Sequence, residues 1–114
     1  MIYKLRNWIL KLMKLSGKIA LVTGGSRGIG FAIAKILSEN GALVVITSKD
    51  SEKIKKAEAQ ITNSFGITCD IKKKSEVQNV LNQTIEKFGK LDILVNNAGI
   101  FPKIKQLHEI DKEE

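Results

Sequence analysis

The segment Thr23-Gly24-Gly25-Ser26-Arg27-Gly28-Ile29-Gly30 combines glycine spacing with a cation. An apolar run, Ile19-Ala20-Leu21-Val22, precedes it, and a helix-periodic run, Phe31 to Leu37, follows. The order is strand, glycine turn, helix. At such a turn, backbone N–H groups without helical partners meet the positive end of the helix dipole, which suits a phosphate. Gly24 allows the sharp exit from the strand. Gly28 lacks a Cβ, so an anion can approach the backbone, and Gly30 lets helix and strand come close. A glycine pattern alone also fits plain strand–helix packing.

Three further candidate segments are Ser48-Lys49, Asp70-Ile71 and Asn97-Ala98-Gly99-Ile100. Each directly follows an apolar, strand-like run. The elements that must position them read as strands Ile19–Thr23, Leu43–Thr47, Ile67–Cys69 and Asp92–Asn96. Helices over Gly28–Asn40, Glu52–Thr62 and Ser75–Phe88 alternate with them. Asn40-Gly41 supplies a helix stop, Asp50 or Ser51 an N-cap, and Ser75-Glu76-Val77-Gln78 a capping box. This alternation predicts an α/β fold, a Rossmann-type, doubly wound parallel sheet with right-handed crossovers. About four strands fit, in the order 3-2-1-4, so the sheet is expected to be incomplete. All four candidate segments then gather at the carboxyl edge, where such sheets bind ligands.

Composition bounds the partners. The 114 residues are 43% hydrophobic and 27% charged, with a formal net charge of +7. Nothing approaches the roughly 20 apolar residues of a membrane span. The excess charge is mostly lysine, spread over helix faces with little aromatic interleaving, which argues against nucleic acid. Cys69 is the only cysteine and His108 the only histidine. That excludes a disulfide framework or a cysteine zinc cluster within one chain and fits a cytoplasmic location. No metal site is expected. Residues 1–15 carry Lys4, Arg6, Lys11 and Lys14 without an acid, beside Ile2, Leu5, Trp8, Ile9, Leu12 and Met13. Two readings stand for this segment: a basic amphipathic helix suited to peripheral membrane contact or a partner, or an extension upstream of a start at Met13. The domain is expected to run over residues 16–114.

Thr23-Gly24-x-x-x-Gly28-Ile29-Gly30, Asp70, and Leu91-Asp92-Ile93-Leu94-Val95 leading into Asn96-Asn97-Ala98-Gly99 resemble the short-chain dehydrogenase/reductase family, over about residues 14–114. The likeness is to the 3-oxoacyl-carrier-protein reductase type. It implies that Gly24, Ser26, Arg27, Gly28 and Ile29 hold the pyrophosphate and nearby ribose of a dinucleotide, with Gly30 completing the turn. Asp70 would accept from the adenine amino group, with the Ile71 N–H beside it. Asn97, Ala98 and Gly99 would line the ribose and the path to the nicotinamide, while Asn96 ties central strands together. An acid after the second strand would bond a ribose 2′-hydroxyl and repel a 2′-phosphate. Ser48 stands there instead, followed by Lys49, and Arg27 adds a second cation. The expectation is NADP(H) over NAD(H). Asp50, one residue on, is expected to cap the helix.

The resemblance also implies a catalytic Ser and a Tyr-x-x-x-Lys. These are absent from the 114 residues, and Tyr3 is the only tyrosine. No catalytic residue is therefore named. The chain reads as the cofactor-binding part of a carbonyl/alcohol oxidoreductase, a homo-oligomer in complete family members. A small carbonyl or alcohol substrate is expected only in the complete enzyme. The alternative is an inactive nucleotide-binding or membrane-associated module. The fourth strand is expected to be an exposed edge, leaving the isolated chain marginal or in need of a partner.

Overall fold

A computed structural model describes residues 14–97. Four parallel strands, β1 (Ile19–Thr23), β2 (Leu43–Ser48), β3 (Ser64–Thr68) and β4 (Ile93–Asn96), form one sheet in the order β3-β2-β1-β4. Helices α1 (Gly28–Glu39), α2 (Ser51–Gln60) and α3 (Lys74–Phe88) are the crossovers. The 3-2-1-4 order expected from the sequence is the order found.

The two central strands explain the sheet. Every residue of β1 is buried, as are Val44 to Thr47 of β2, because both faces are covered. Strands of this kind read as continuous apolar runs rather than alternating ones. Successive side chains still point to opposite faces. Ala20, Val22, Val44 and Ile46 meet Ala34 of α1 and Ala57 of α2 on one face. Leu21, Val45, Ile67 and Cys69 meet Val80 and Leu81 of α3 on the other. Ala34 and Ala57 are small enough to bring their helices close to the sheet. Ser38 of α1 donates a hydrogen bond to the Thr62 carbonyl and so ties α1 to the end of α2.

Two elements differ from expectation. β3 begins at Ser64, three residues before the expected Ile67, and pairs with β2 from Val44↔Ser64 to Ser48↔Thr68. Its polar start and central Gly66 disguise it. Gly66 is required because a Cβ there would overlap the Ile54 side chain of α2. The Gly66 N–H donates to Glu58 Oε2 at 2.8 Å, so a helix carboxylate closes one donor of this edge strand. The second difference is at α3. Lys73 is its N-cap, without a side-chain cap, and Ser75 lies inside the first turn. The expected Ser75–Gln78 capping box is not formed. The Asp70–Lys73 turn starts the helix earlier, and Glu76 Oε1 accepts instead from the Asp70 N–H at 2.8 Å.

β4 is registered on β1 by a reciprocal pair at its start. The Ile19 N–H donates to Asp92 Oδ2 at 2.8 Å, and the Asp92 N–H donates to the Ile19 carbonyl at 2.9 Å. Lys90 Nζ lies 3.2 Å from the same carboxylate oxygen. The Ile19 N–H holds the Asp92 carboxyl below its usual value of 3.8, with Lys90 helping against partial desolvation. A carboxyl depressed in the folded chain contributes stability above its unfolded pKa and loses it as pH falls through the folded one. Denaturant titrations are therefore expected to show stability falling as pH drops below about 4, and Asp92→Asn should flatten that segment. An unchanged acid limb in Asp92→Asn would remove this carboxylate from the account.

Candidate functional site

The β1–α1 turn is built around the Gly24 carbonyl. Gly24 and Gly28 have φ of +66° and +60°, which other residues adopt with strain. The Gly25 N–H donates to the Thr47 carbonyl at 3.1 Å, fastening the turn to the end of β2. Beneath the turn, a Cβ on Gly30 would fall inside contact distance of the Gly24 carbonyl. Asn97, just after β4, donates from Nδ2 to that carbonyl at 3.3 Å. At Gly28, by contrast, a Cβ would meet nothing, so this glycine opens outward.

The helix termini at this edge differ in how they are filled. Arg27 is the N-cap residue of α1, with extended backbone and no side-chain cap hydrogen bond. At α2, Asp50 Oδ1 accepts from the Glu52 and Lys53 N–H groups at 3.0 and 3.2 Å. The first turn of α1 thus keeps donors that no side-chain cap claims, beside a dipole that favours an anion.

A cleft of about 380 Å³ opens at the carboxyl ends of β1, β2 and β3. The β1 turn contributes Gly24, Ser26 and Arg27; β2 and the start of α2 contribute Thr47, Ser48, Lys49, Asp50 and Lys53; the β3 end contributes Cys69, Ile71 and Lys72. Four cations therefore line it against one acid, and that acid's Oδ1 is engaged as a cap. Ser48 Oγ accepts from the Asp50 N–H at 3.2 Å, which folds the β2–α2 loop. At the floor, Thr47 Oγ1 is buried without a hydrogen-bond partner. Cys69 is part of the wall but not a nucleophile. Burial first, and the charges of Glu76 and Asp70 after it, push its thiol up to about 11, so it stays protonated at neutral pH.

Among the expected site residues, Gly24, Ser26, Arg27, Ser48, Lys49 and Ile71 line this one cleft. Gly28 and Ile29 lie exposed on the first turn of α1, Ile29 at 74%, while Gly30 is buried under it. Asp70 is at the rim, where its Oδ1 accepts from the Lys72 N–H at 3.0 Å, a local turn contact. Asn97 reaches the glycine turn rather than the cleft. Ala98 and Gly99 lie outside the described residues, as do residues 1–13. Sequence reasoning missed Lys53, Lys72 and Thr47. Lys53 follows Lys49 by four residues across a helix start, and Lys72 follows Ile71 directly, so the pattern was present but looked like surface charge. Thr47 was read only as a strand residue.

The cleft and the turn beside it combine an uncapped helix start, an open glycine, an orphaned hydroxyl on the floor and four cations. They suit phosphate and ribose oxygens. No acid–base pair for proton transfer stands among the lining residues. Among the described residues, no group of three His, Cys, Asp or Glu side chains could hold a metal. No described helix is long and apolar enough to cross a membrane.

Known proteins agree with this architecture. The short chain dehydrogenase family profile matches residues 18–114. An L-fucose dehydrogenase from Bos taurus is 39% identical over 89 residues, covering 78% of this chain and 33% of that protein. Tropinone reductase-like 2 from Erythroxylum coca is 43% identical over 91 residues, covering 76% of this chain and 32% of that protein. The chain thus spans about a third of the length of these curated relatives. A metagenomic short-chain oxidoreductase crystallised with NADP superposes with a TM-score of 0.72 at 40% identity, over 75% of this chain and 41% of that one. A 3-ketoacyl-(acyl-carrier-protein) reductase from Brucella melitensis, complexed with NADH, gives 0.68 at 34% identity, over 71% and 34%. These relatives act on different substrates by name, so the reductase subtype is only one among several similar ones. Sheet order, glycine turn and profile converge on one conclusion: the chain belongs to the short-chain dehydrogenase family.

Proposed function

We propose that this chain is the NADP(H)-binding part of a short-chain dehydrogenase/reductase. The observation that carries the reading is the charge of the cleft: Arg27, Lys49, Lys53 and Lys72 around one engaged acid. The Gly24–Gly30 turn and the uncapped start of α1 would hold the pyrophosphate. Ser26, Arg27, Ser48 and Lys49 take the adenosine ribose with its 2′-phosphate. Asp70 and Ile71 meet the adenine edge, the carboxylate accepting from the amino group. Asn97, with Ala98 and Gly99, continues toward the nicotinamide. The chemistry a bound nicotinamide would supply is reversible hydride transfer with a carbonyl or alcohol carbon. The residues of this chain hold and orient; proton donation belongs to a Ser and a Tyr-x-x-x-Lys that are not among these 114 residues. No catalytic residue is assigned here, and the substrate is a small carbonyl or alcohol compound of the whole protein.

A 2′-phosphate between lysine and arginine gains charge-assisted hydrogen bonds, each worth about 1.5–3 kcal/mol. Asp50 does not reverse this, because its carboxylate already faces two α2 N–H groups. Fluorescence titration is expected to give tighter binding of NADPH than NADH. Lys49→Asp should narrow that ratio by roughly tenfold, about 1.4 kcal/mol, with little change for NADH. Equal affinities in the unmodified chain would defeat the NADP(H) assignment.

Gly28 and Gly30 separate ligand effects from folding effects. Gly28→Ala adds a Cβ into open space at φ +60°, so it costs about 1–2 kcal/mol of backbone strain and should weaken NADPH binding beyond that loss. Gly30→Ala drives a Cβ into the Gly24 carbonyl and should cost about 1–3 kcal/mol of overpacking before any ligand is added. Chemical denaturation with and without NADPH measures both. Undiminished NADPH affinity in a folded Gly28→Ala chain would move the pyrophosphate away from this turn.

A further inference from the structure

The connection between α1 and β2 holds a chemically labile pair that the dinucleotide reading does not use. Of the chain's asparagines only Asn40 is followed by glycine. A backbone nitrogen attacks the side-chain carbonyl carbon of the asparagine before it most easily when its own residue has no Cβ to crowd the approach. The fold nevertheless requires this glycine. Gly41 has φ of +100°, a left-handed position at the end of α1 that other residues adopt with strain. The pair that closes the helix is thus also its most labile amide.

In the folded chain this pair is firmly held. The Gly41 N–H donates to the Ser38 carbonyl at 2.9 Å and the Ala42 N–H to the Leu37 carbonyl at 3.1 Å, the paired bonds of a Schellman cap. Asn40 Nδ2 donates to the Ile36 carbonyl at 2.8 Å. The Asn40 carbonyl accepts from the Leu15 N–H at 2.9 Å, which ties the cap to the chain entering β1. Ser38 Oγ donates to the Thr62 carbonyl and anchors the same turn to the end of α2. Carbonyls of the last turn therefore hold both nitrogens that the reaction needs, the attacking one and the departing one.

We propose that Asn40-Gly41 is a latent deamidation site, locked by the C-terminal cap of α1 and released when that cap opens. The Gly41 nitrogen gives up its proton and bonds to Asn40 Cγ. The Cγ–Nδ2 bond breaks, and the amide leaves as ammonia with that proton. Water then opens the cyclic imide at one carbonyl or the other, giving aspartate or isoaspartate. Neither product restores the lock. A carboxylate cannot donate to the Ile36 carbonyl, and its charge sits at the negative end of the α1 dipole. Isoaspartate also inserts an extra carbon into the backbone at the cap. Each reaction therefore weakens the α1–β2 connection in one direction only. The inference stands apart from the cofactor reading, because the cap is at the end of α1 away from the glycine turn.

The test ages the 114-residue chain folded in buffer and unfolded in urea. Peptide mapping follows the mass gain of amide-to-acid conversion, and an isoaspartate methyltransferase assay runs beside it. In urea Asn40 should convert before any other asparagine. In the folded chain it should convert at least about tenfold more slowly, because reaction waits on local opening, and tenfold corresponds to about 1.4 kcal/mol of opening free energy. Ser38→Ala loosens the turn without altering Asn40 or Gly41 and should raise the rate in the folded chain. If that variant fails to fold, urea below the unfolding transition loosens the unmodified chain instead, and conversion should rise with it. Asn40→Asp, the simpler product, should lower the denaturant midpoint. Equal rates in folded and unfolded chain overturn the proposal, as does earlier conversion of another asparagine in urea. A folded Ser38→Ala chain that reacts no faster, a rate flat in urea, or an Asn40→Asp chain as stable as the unmodified one overturns it as well.

Discussion

The Gly24 carbonyl oxygen is the point at which three parts of the fold meet. It ends the turn out of β1, lies against the first turn of α1, and accepts from Asn97 beyond β4. A side chain at Gly30 would push α1 away from it. Moving α1 would in turn shift the donors of its first turn relative to the β2 end. The contact therefore sets the geometry of the cleft without touching a ligand. Close packing around this carbonyl is stiff, because a void or a clash on either side is felt at once. Asn97 adds direction: its amide, just beyond β4, donates to the glycine turn and so links two loops from distant sequence.

Around this fixed point the helix starts have been treated unequally. Asp50 fills the first-turn donors of α2, and Glu76 turns back toward the Asp70 N–H at the start of α3. At α1 the N-cap is Arg27, whose side chain makes no cap. A serine or aspartate in that place would satisfy the donors internally and so compete with an external anion. The arginine leaves them open and adds a positive charge. Local helix stability is thereby given up at one terminus. An anion bound there, as proposed, would draw on the same N–H groups and on that charge.

Legibility in the sequence followed burial. β1 and β2 are covered on both faces, so nothing but apolar runs could serve there, and their starts were read correctly at Ile19 and Leu43. The glycine turn was legible because its backbone needs no Cβ at defined places. β3 was harder. It is an edge strand whose middle residue is Gly66, chosen by the approach of Ile54, a contact that no local pattern carries. The start of α3 was misplaced because Ser75 and Gln78 match a capping pattern, whereas the Asp70–Lys73 turn, a tertiary connection to β3, begins the helix earlier. Lys53 and Lys72 share the cleft only because α2 and the β3 end are adjacent in space. Their charges could be read; their meeting could not.

That meeting would decide how the cleft discriminates between the ligands proposed for it. The cations at its wall are exposed, so each acts across water, and salt screens it beyond a Debye length of about 10 Å at 0.1 M. One such charge would separate a phosphate from a hydroxyl poorly. Four from three loops raise the local potential together, and the opposing carboxylate of Asp50 is turned toward backbone donors. The floor adds a different kind of selection. Thr47 Oγ1 is buried without a partner, and an unsatisfied hydroxyl costs about 1–3 kcal/mol. A ligand oxygen or a water carried with it recovers part of that energy only by reaching the floor. In the proposed reading, long-range charge would favour any polyanion at the rim, whereas the hydroxyl would reward only a ligand that fits to the bottom, and the two together would narrow the choice more than either does.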